Sequence, residues 1–264
     1  VPGSVRILEA SMMRRCPPAF LIALVWSGIL SPRAFAECPC PSPPPPPPAF
    51  TASLGAGLAL TSGNTDTKSF NLATALQYDP KTRNVIKFDG FYLRAESGGQ
   101  PTVDKSAFGA RDEYALSPRL FAFGEIRYLR DRFKEISYLV TPLVGVGYML
   151  VKSDPLILAV DAGVGGAFEK DDGLGSMSSG SYHVGEGLTW KISGTAALTE
   201  KATGLWKTKD ASDSLYHFEV ALASSIAKHA EVKLAFVEDY KNKPPNPSLS
   251  KADEALLFTL LMKF

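Results

Sequence analysis

Few residues in this 264-residue chain have the type and spacing for bond-breaking chemistry. Hydrolysis needs a nucleophile beside a general base, or two carboxylates held close together. The chain has three histidines, His183, His217 and His229, and no His-x-Ser arrangement; Ser181 precedes His183 by two residues. His183 and His217 read as interior or rim side chains with hydrogen-bond partners, and His229 falls in a turn. Asp171-Asp172 offers two adjacent carboxylates, short of the six to eight oxygens that calcium takes, and reads as part of a solvated loop. Cys16, Cys38 and Cys40 have no zinc spacing and make no disulfide framework. No catalytic residue, metal or cofactor is assigned.

Charge is the stronger lead. Lys87 and Asp89, Arg111 and Glu113, and Glu125 and Arg127 stand two residues apart. Residues two apart in an extended chain share a face. On three neighbouring antiparallel strands, all six would line one wall, with opposite charges side by side. Such a wall either lines a narrow aqueous passage or fills an interior as a structural ladder.

Those side chains need strands to carry them. After residue 50 no 3.6-residue period persists over a long window, whereas period two recurs. Phe70, Leu72, Thr74, Leu76 and Tyr78 alternate with Ser69, Asn71, Ala73, Ala75 and Gln77. Val144, Val146 and Tyr148 alternate with Gly145 and Gly147. Strands are expected at residues 51–61, 67–78, 84–95, 105–116, 120–131, 136–150, 156–169, 182–192, 196–207, 214–226, 231–240 and 252–264. Many exceed the about five to six residues usual in soluble proteins. One face is apolar, with Tyr78, Tyr92, Tyr114, Tyr128, Tyr138 and Tyr148 towards strand ends, as interfacial girdles require. The other face is charged in places and otherwise Gly, Ala and Ser, which leaves room for water.

This pattern predicts an all-β, transmembrane antiparallel up-and-down barrel of about 12 strands. Ten is the alternative, because Glu200 and Lys201 put charge on both faces of 196–207. Asp112 falls on the lipid face; a bulge or a one-residue slip would turn it inward. Connections at 79–83, 117–119, 152–155, 193–195 and 227–230 are tight, while the alternate ones at 96–104, 170–181, 208–213 and 241–251 are longer, with 62–66 and 132–135 as short exceptions. Barrels keep short turns in the periplasm and long loops outside, so both termini are expected to be periplasmic.

Export is written into the first residues. Met12-Met13-Arg14-Arg15, the apolar run from Ala19 to Leu30, and Ala34-Phe35-Ala36 give the order of a signal peptide. Residues 1–36 are assigned to it, with Met12 or Met13 the expected start and cleavage near Ala36. Residues 37–49 form a Cys/Pro-rich spacer in which Pro43 to Pro48 run extended. Cys38 and Cys40 could pair in an oxidising compartment. Residues 50–264 form the barrel. Hydrophobic residues at 45% and charged residues at 21% exclude a disordered tail protein. The full chain carries +1; Arg6, Arg14, Arg15 and Arg33 against Glu9 put +3 on residues 1–36 and leave −2 on the rest. That balance gives no case for nucleic-acid binding.

The last strand alternates Leu256, Phe258, Leu260, Met262 and Phe264. Phe258, Leu260, Met262 and Phe264 look like a C-terminal signal read by the barrel assembly machinery.

Three segments together resemble the salt-induced outer-membrane protein family, bacterial barrels of unknown function. They are Leu58-Ala59-Leu60-Thr61-Ser62-Gly63-Asn64-Thr65-Asp66-Thr67, then Phe121-Ala122-Phe123-Gly124 leading to Tyr128 and Asp131-Arg132-Phe133, and Gly145-Val146-Gly147-Tyr148. The likeness spans about residues 50–264 and implies an outer-membrane location and a link to salt or osmotic stress. It supplies no catalytic residues, and the hexaproline run departs from it. The expectation is a non-enzymatic, monomeric outer-membrane barrel, acting as a narrow pore or a stress-responsive structural element. Its partners would be outer-membrane lipid, lipopolysaccharide, the assembly machinery and periplasmic chaperones. The alternatives are a lipid hydrolase using His183 or His217, and an envelope tether using the spacer and the long loops.

Overall fold

A computed structural model describes residues 49–62, 67–97, 100–173 and 175–264. The expected leader, the cleavage site, Cys38, Cys40, the hexaproline run and the first hairpin tip at 63–66 lie outside the described residues.

Twelve strands follow in order: β1 (Phe50–Ser62), β2 (Thr67–Tyr78), β3 (Asn84–Ser97), β4 (Gln100–Ala115), β5 (Leu120–Asp131), β6 (Ile136–Lys152), β7 (Leu156–Asp171), β8 (Ser176–Lys191), β9 (Ala196–Lys207), β10 (Ser214–Ala227), β11 (Ala230–Lys241) and β12 (Ala252–Lys263). A single turn of 3-10 helix, η1 (Arg132–Lys134), interrupts the series between β5 and β6. Each strand pairs antiparallel with the next, and β1 pairs with β12 to close the barrel. Closure leaves no free sheet edge. At the seam Phe264 N donates to Ala52 O (2.9 Å) and Ala52 N to Phe264 O (3.2 Å).

β9 decides the strand count. It pairs along its whole length with both β8 and β10, so the barrel has twelve strands, not ten. Its charges obey the alternation: Lys201 lines the interior cavity and Glu200 points outward. Asp112 also points outward without any slip. The ladder around it is unbroken, and Asn84 Nδ2 donates to its carboxylate (3.3 Å) beside Tyr114, near the turn end.

The outer surface is apolar. Phe70, Leu72, Phe88, Ile126, Val144, Val164, Val184, Leu222 and Phe258 are all exposed there. Tyr78, Tyr114, Tyr148 and Trp190 mark the end with tight turns, and Tyr182 and Tyr216 the other. Such a surface is unstable in water and suits a bilayer, where every backbone group must be paired inside the sheet.

Two expected loops are shorter than the sequence suggested. β4 begins at Gln100 and β8 at Ser176, so most of 96–104 and 170–181 is strand. These stretches rise past the aromatic ring, where neither face needs to be apolar. The ladder hydrogen bonds continue while the hydrophobic signal disappears.

Candidate functional site

The interior holds a connected lattice of charges. Lys87, Asp89, Arg111, Glu113, Glu125 and Arg127 lie on β3, β4 and β5, and all six point into the barrel. Arg111 is its centre. Its guanidinium donates to Glu113 on its own strand (2.9 Å), to Glu125 on β5 (2.7 Å) and to Asp161 on β7 (2.8 Å). Lys87 Nζ donates to Glu113 (2.7 Å). Arg127 pairs with Glu125 and stands 3.5 Å from Asp89. His183 shares a hydrogen bond with Asp161 (3.0 Å). Each carboxylate around Arg111 therefore has a second partner.

Glycine makes this lattice fit. Phe121 and Phe123 on β5 lie against β6, and the Arg111 guanidinium sits 3.9 Å above the Phe123 ring. A Cβ at Gly145 would stand 2.6 Å from that ring, and one at Gly147 would collide with Phe121. The expectation that these glycines leave room for water is therefore wrong on β6. They make room for two aromatic rings, which form the floor under a cation.

A second set of charges closes the end carrying the longer loops. η1 folds inward, capped by Asp131, which accepts from the Phe133 and Lys134 amides (3.2 Å each). Lys134 then crosses to the opposite wall. Its ammonium donates to Asp239 O (2.7 Å) and Lys251 O (3.4 Å) and lies 3.3 Å from Asp253. β5 and β11 are six strands apart in a twelve-strand ring, so this contact spans the mouth. Lys105 reaches Asp239 (2.5 Å), and His217 shares a hydrogen bond with Asp239 (2.9 Å). Beside them Glu169 is buried between Lys207 and Lys241, and Lys207 also donates to Asp213 (2.6 Å).

Asp171 and Asp172 are not a solvated pair. Asp171 is buried 4.0 Å from Lys241, whereas Asp172 faces outward, where Ser137 Oγ donates to it. Successive strand residues point to opposite faces, so the two carboxylates separate. No group of three His, Cys, Asp or Glu able to hold a metal occurs among the described residues. Ser181 Oγ has no hydrogen-bond partner in the structure, so it makes no nucleophile–base pair with His183.

A cavity of about 400 Å³ adjoins both sets of charges. Asn71, Asp89, Arg127, Thr141, Lys201 and Glu219 are among its lining residues. Apolar side chains share the interior: Leu93 packs with Ala221, Ala235 and Leu257. Outside the lumen, Phe258, Leu260 and Met262 face outward and Phe264 is exposed beside the seam. Of the longer loops, 208–213 and 242–251 are tied together by Lys243 and Asp210 (2.6 Å). The Lys243 and Ser212 donors hold the Asp210 carboxyl at about 2, below its ordinary 3.8.

The sequence reading named the first lattice and missed the second. Inward parity was available for Lys105, Asp131, Glu169, Lys207, Asp239 and Lys241. What it lacked was the cross-barrel geometry that brings residues more than 100 positions apart together.

Solved structures with the same fold include a NanC porin (TM-score 0.55, 9% identity, 80% of this chain and 100% of that one). An outer-membrane channel of the COG4313 type from Pseudomonas putida F1 aligns with a TM-score of 0.51 and 12% identity, over 83% of this chain and 96% of that one. At these identities the likeness shows the fold alone. In sequence, the protein is 21% identical over 211 residues to the uncharacterized protein YdiY of Escherichia coli strain K12, covering 80% of this chain and 82% of the other. A family model described as "Protein of unknown function, DUF481" matches residues 54–264, and the chain belongs to that family.

Proposed function

We propose that this protein is a non-enzymatic outer-membrane barrel that provides a narrow, charge-lined passage for small hydrophilic solutes. One observation carries the reading: a cavity of about 400 Å³ lies inside the barrel, where Asp89, Arg127, Lys201 and Glu219 from four different strands share its lining with apolar side chains. At about 30 Å³ per water it holds roughly a dozen. The Lys87, Asp89, Arg111, Glu113, Glu125 and Arg127 wall acts as the filter at one end, and η1 with Lys134 narrows the other. The tight turns and both chain ends of the barrel face the periplasm, and the longer loops face outward. The exposed outward row of Phe258, Leu260 and Met262, with Phe264 at its end, serves as the mark read by the assembly machinery.

Refolded protein in liposomes tests the passage by osmotic swelling in small neutral solutes. Swelling that falls off steeply with solute size supports it. Vesicles holding folded barrel that swell no faster than empty ones contradict it. The cross-lumen ion pairs favour a second reading, a barrel braced from inside as a stress-responsive structural element, and the second result selects it.

A further inference from the structure

The loop end of β3, β4 and β5 carries a basic patch on the outside of the barrel. Arg94 on β3 pairs in register with Asp104 on β4, and Arg130 on β5 lies opposite Ser106. Arg132 in η1 reaches the same carboxylate. The patch therefore sets three guanidinium groups around Asp104 and Glu96. Arg94 is satisfied by Glu96 (2.7 Å). Arg130 and Arg132 share one carboxylate in looser ion pairs: their nearest nitrogens stand 3.8 and 3.6 Å from Asp104, beyond hydrogen-bond distance. Both side chains are well exposed, at 39% and 56%. Without a hydrogen bond to Asp104, their forks keep N–H donors for an oxyanion in the bidentate geometry that arginine offers to phosphate.

What lies beneath the patch points to a lipid. Tyr92, Phe108 and Tyr128 follow directly on the same outward face, and the Phe108 and Tyr128 rings are 6.1 Å apart between centroids. Aromatic rings of this kind sit at the boundary between headgroups and acyl chains. A free anion needs no such platform, whereas a phosphorylated lipid uses both halves. Elsewhere on the same rim, Glu238 stands directly opposite Glu254, an arrangement that repels phosphate.

We infer that Arg130 and Arg132, supported by Arg94 and the Tyr92–Phe108–Tyr128 face, bind the phosphorylated headgroup of an outer-leaflet glycolipid of the lipid A type. This rests on the proposed orientation, with the longer loops outside. It does not rest on the passage.

The test uses the refolded full barrel in phosphatidylcholine nanodiscs, titrated with bis-phosphorylated lipid A and followed by native mass spectrometry. The wild type should retain lipid A, and monophosphorylated lipid A should bind more weakly. Arg130→Gln with Arg132→Gln should weaken retention at least tenfold. Arg130→Lys with Arg132→Lys, which keeps charge but loses the fork, should fall between. A heat-modifiable band on gels confirms that each variant is folded; if the Gln pair fails to fold, the Lys pair carries the comparison. Retention unchanged in both double variants overturns the inference. Competition by millimolar inorganic phosphate also overturns it, because the patch then takes any soluble anion. External protease cleavage at 242–251 in whole cells checks the orientation separately, and no readout here depends on conductance.

Discussion

Replacing Arg111 with Met removes one positive charge from the centre of the charged lattice while keeping an apolar stem over Phe123. The guanidinium holds Glu113, Glu125 and Asp161 at 2.7–2.9 Å, with side chains 17% exposed or less. Breaking a buried ion pair costs about 3–5 kcal/mol when the remaining charge is orphaned. Here Lys87, Arg127 and His183 remain for the three carboxylates, so a loss of about 2–3 kcal/mol is expected. The substitution also changes the field that a passing ion meets. A unit charge about 4 Å from a passing ion in water is worth about 1 kcal/mol, or roughly fivefold. Losing it favours cations and disfavours anions by that factor each, so the cation-to-anion permeability ratio should rise by about 25-fold. The assay is the reversal potential of refolded Arg111→Met barrels in a tenfold KCl gradient, against the wild type. A ratio within about twofold of wild type would refute the reasoning, because ions would then not pass near Arg111.

Three further outcomes follow from other parts of the structure. Lys134→Met removes the tether from η1 to Asp239, Lys251 and Asp253; single-channel conductance should at least double, and an unchanged step size would show that η1 does not narrow the mouth. Glu186 points outward from β8 midway between Tyr182 and Trp190 and is exposed, so Glu186→Leu should stabilise the barrel by about 1 kcal/mol in urea titrations with vesicles, less than the values known for Arg or Lys at mid-depth; a destabilised variant would mean that the carboxylate has a partner in the membrane. The Asp210–Lys243 tie depends on a carboxyl held at about 2, so it is fully present above the ordinary value of 3.8 and is lost as pH falls through about 2; hydrogen exchange at 208–213 should rise over that window in the wild type and not in Asp210→Asn.

Alternation made most of the barrel legible, since a half-buried strand must repeat every two residues. It placed the tight turns and the six-residue charge wall. It faltered where one rule served two purposes. In β9, Glu200 and Lys201 looked like a broken pattern because an interior that accepts charge and an outer face that tolerates one acid give no contrast. At 100–104 and 176–181 the strands leave the bilayer, and the apolar signal goes with it. The glycines of β6 were read as empty space because sequence shows what is missing at a position, not which neighbour fills it. Lys134 was hidden for a different reason. It sits in a short connection, and only closure of the ring shows that the opposite wall is within its reach.

Single-channel recording from the refolded wild-type barrel in a planar bilayer decides whether the lumen conducts. A narrow charge-lined passage predicts small, reproducible current steps, carried by both ions because the lattice around Arg111 is nearly neutral. A correctly folded, heat-modifiable barrel that inserts and passes no current would contradict it.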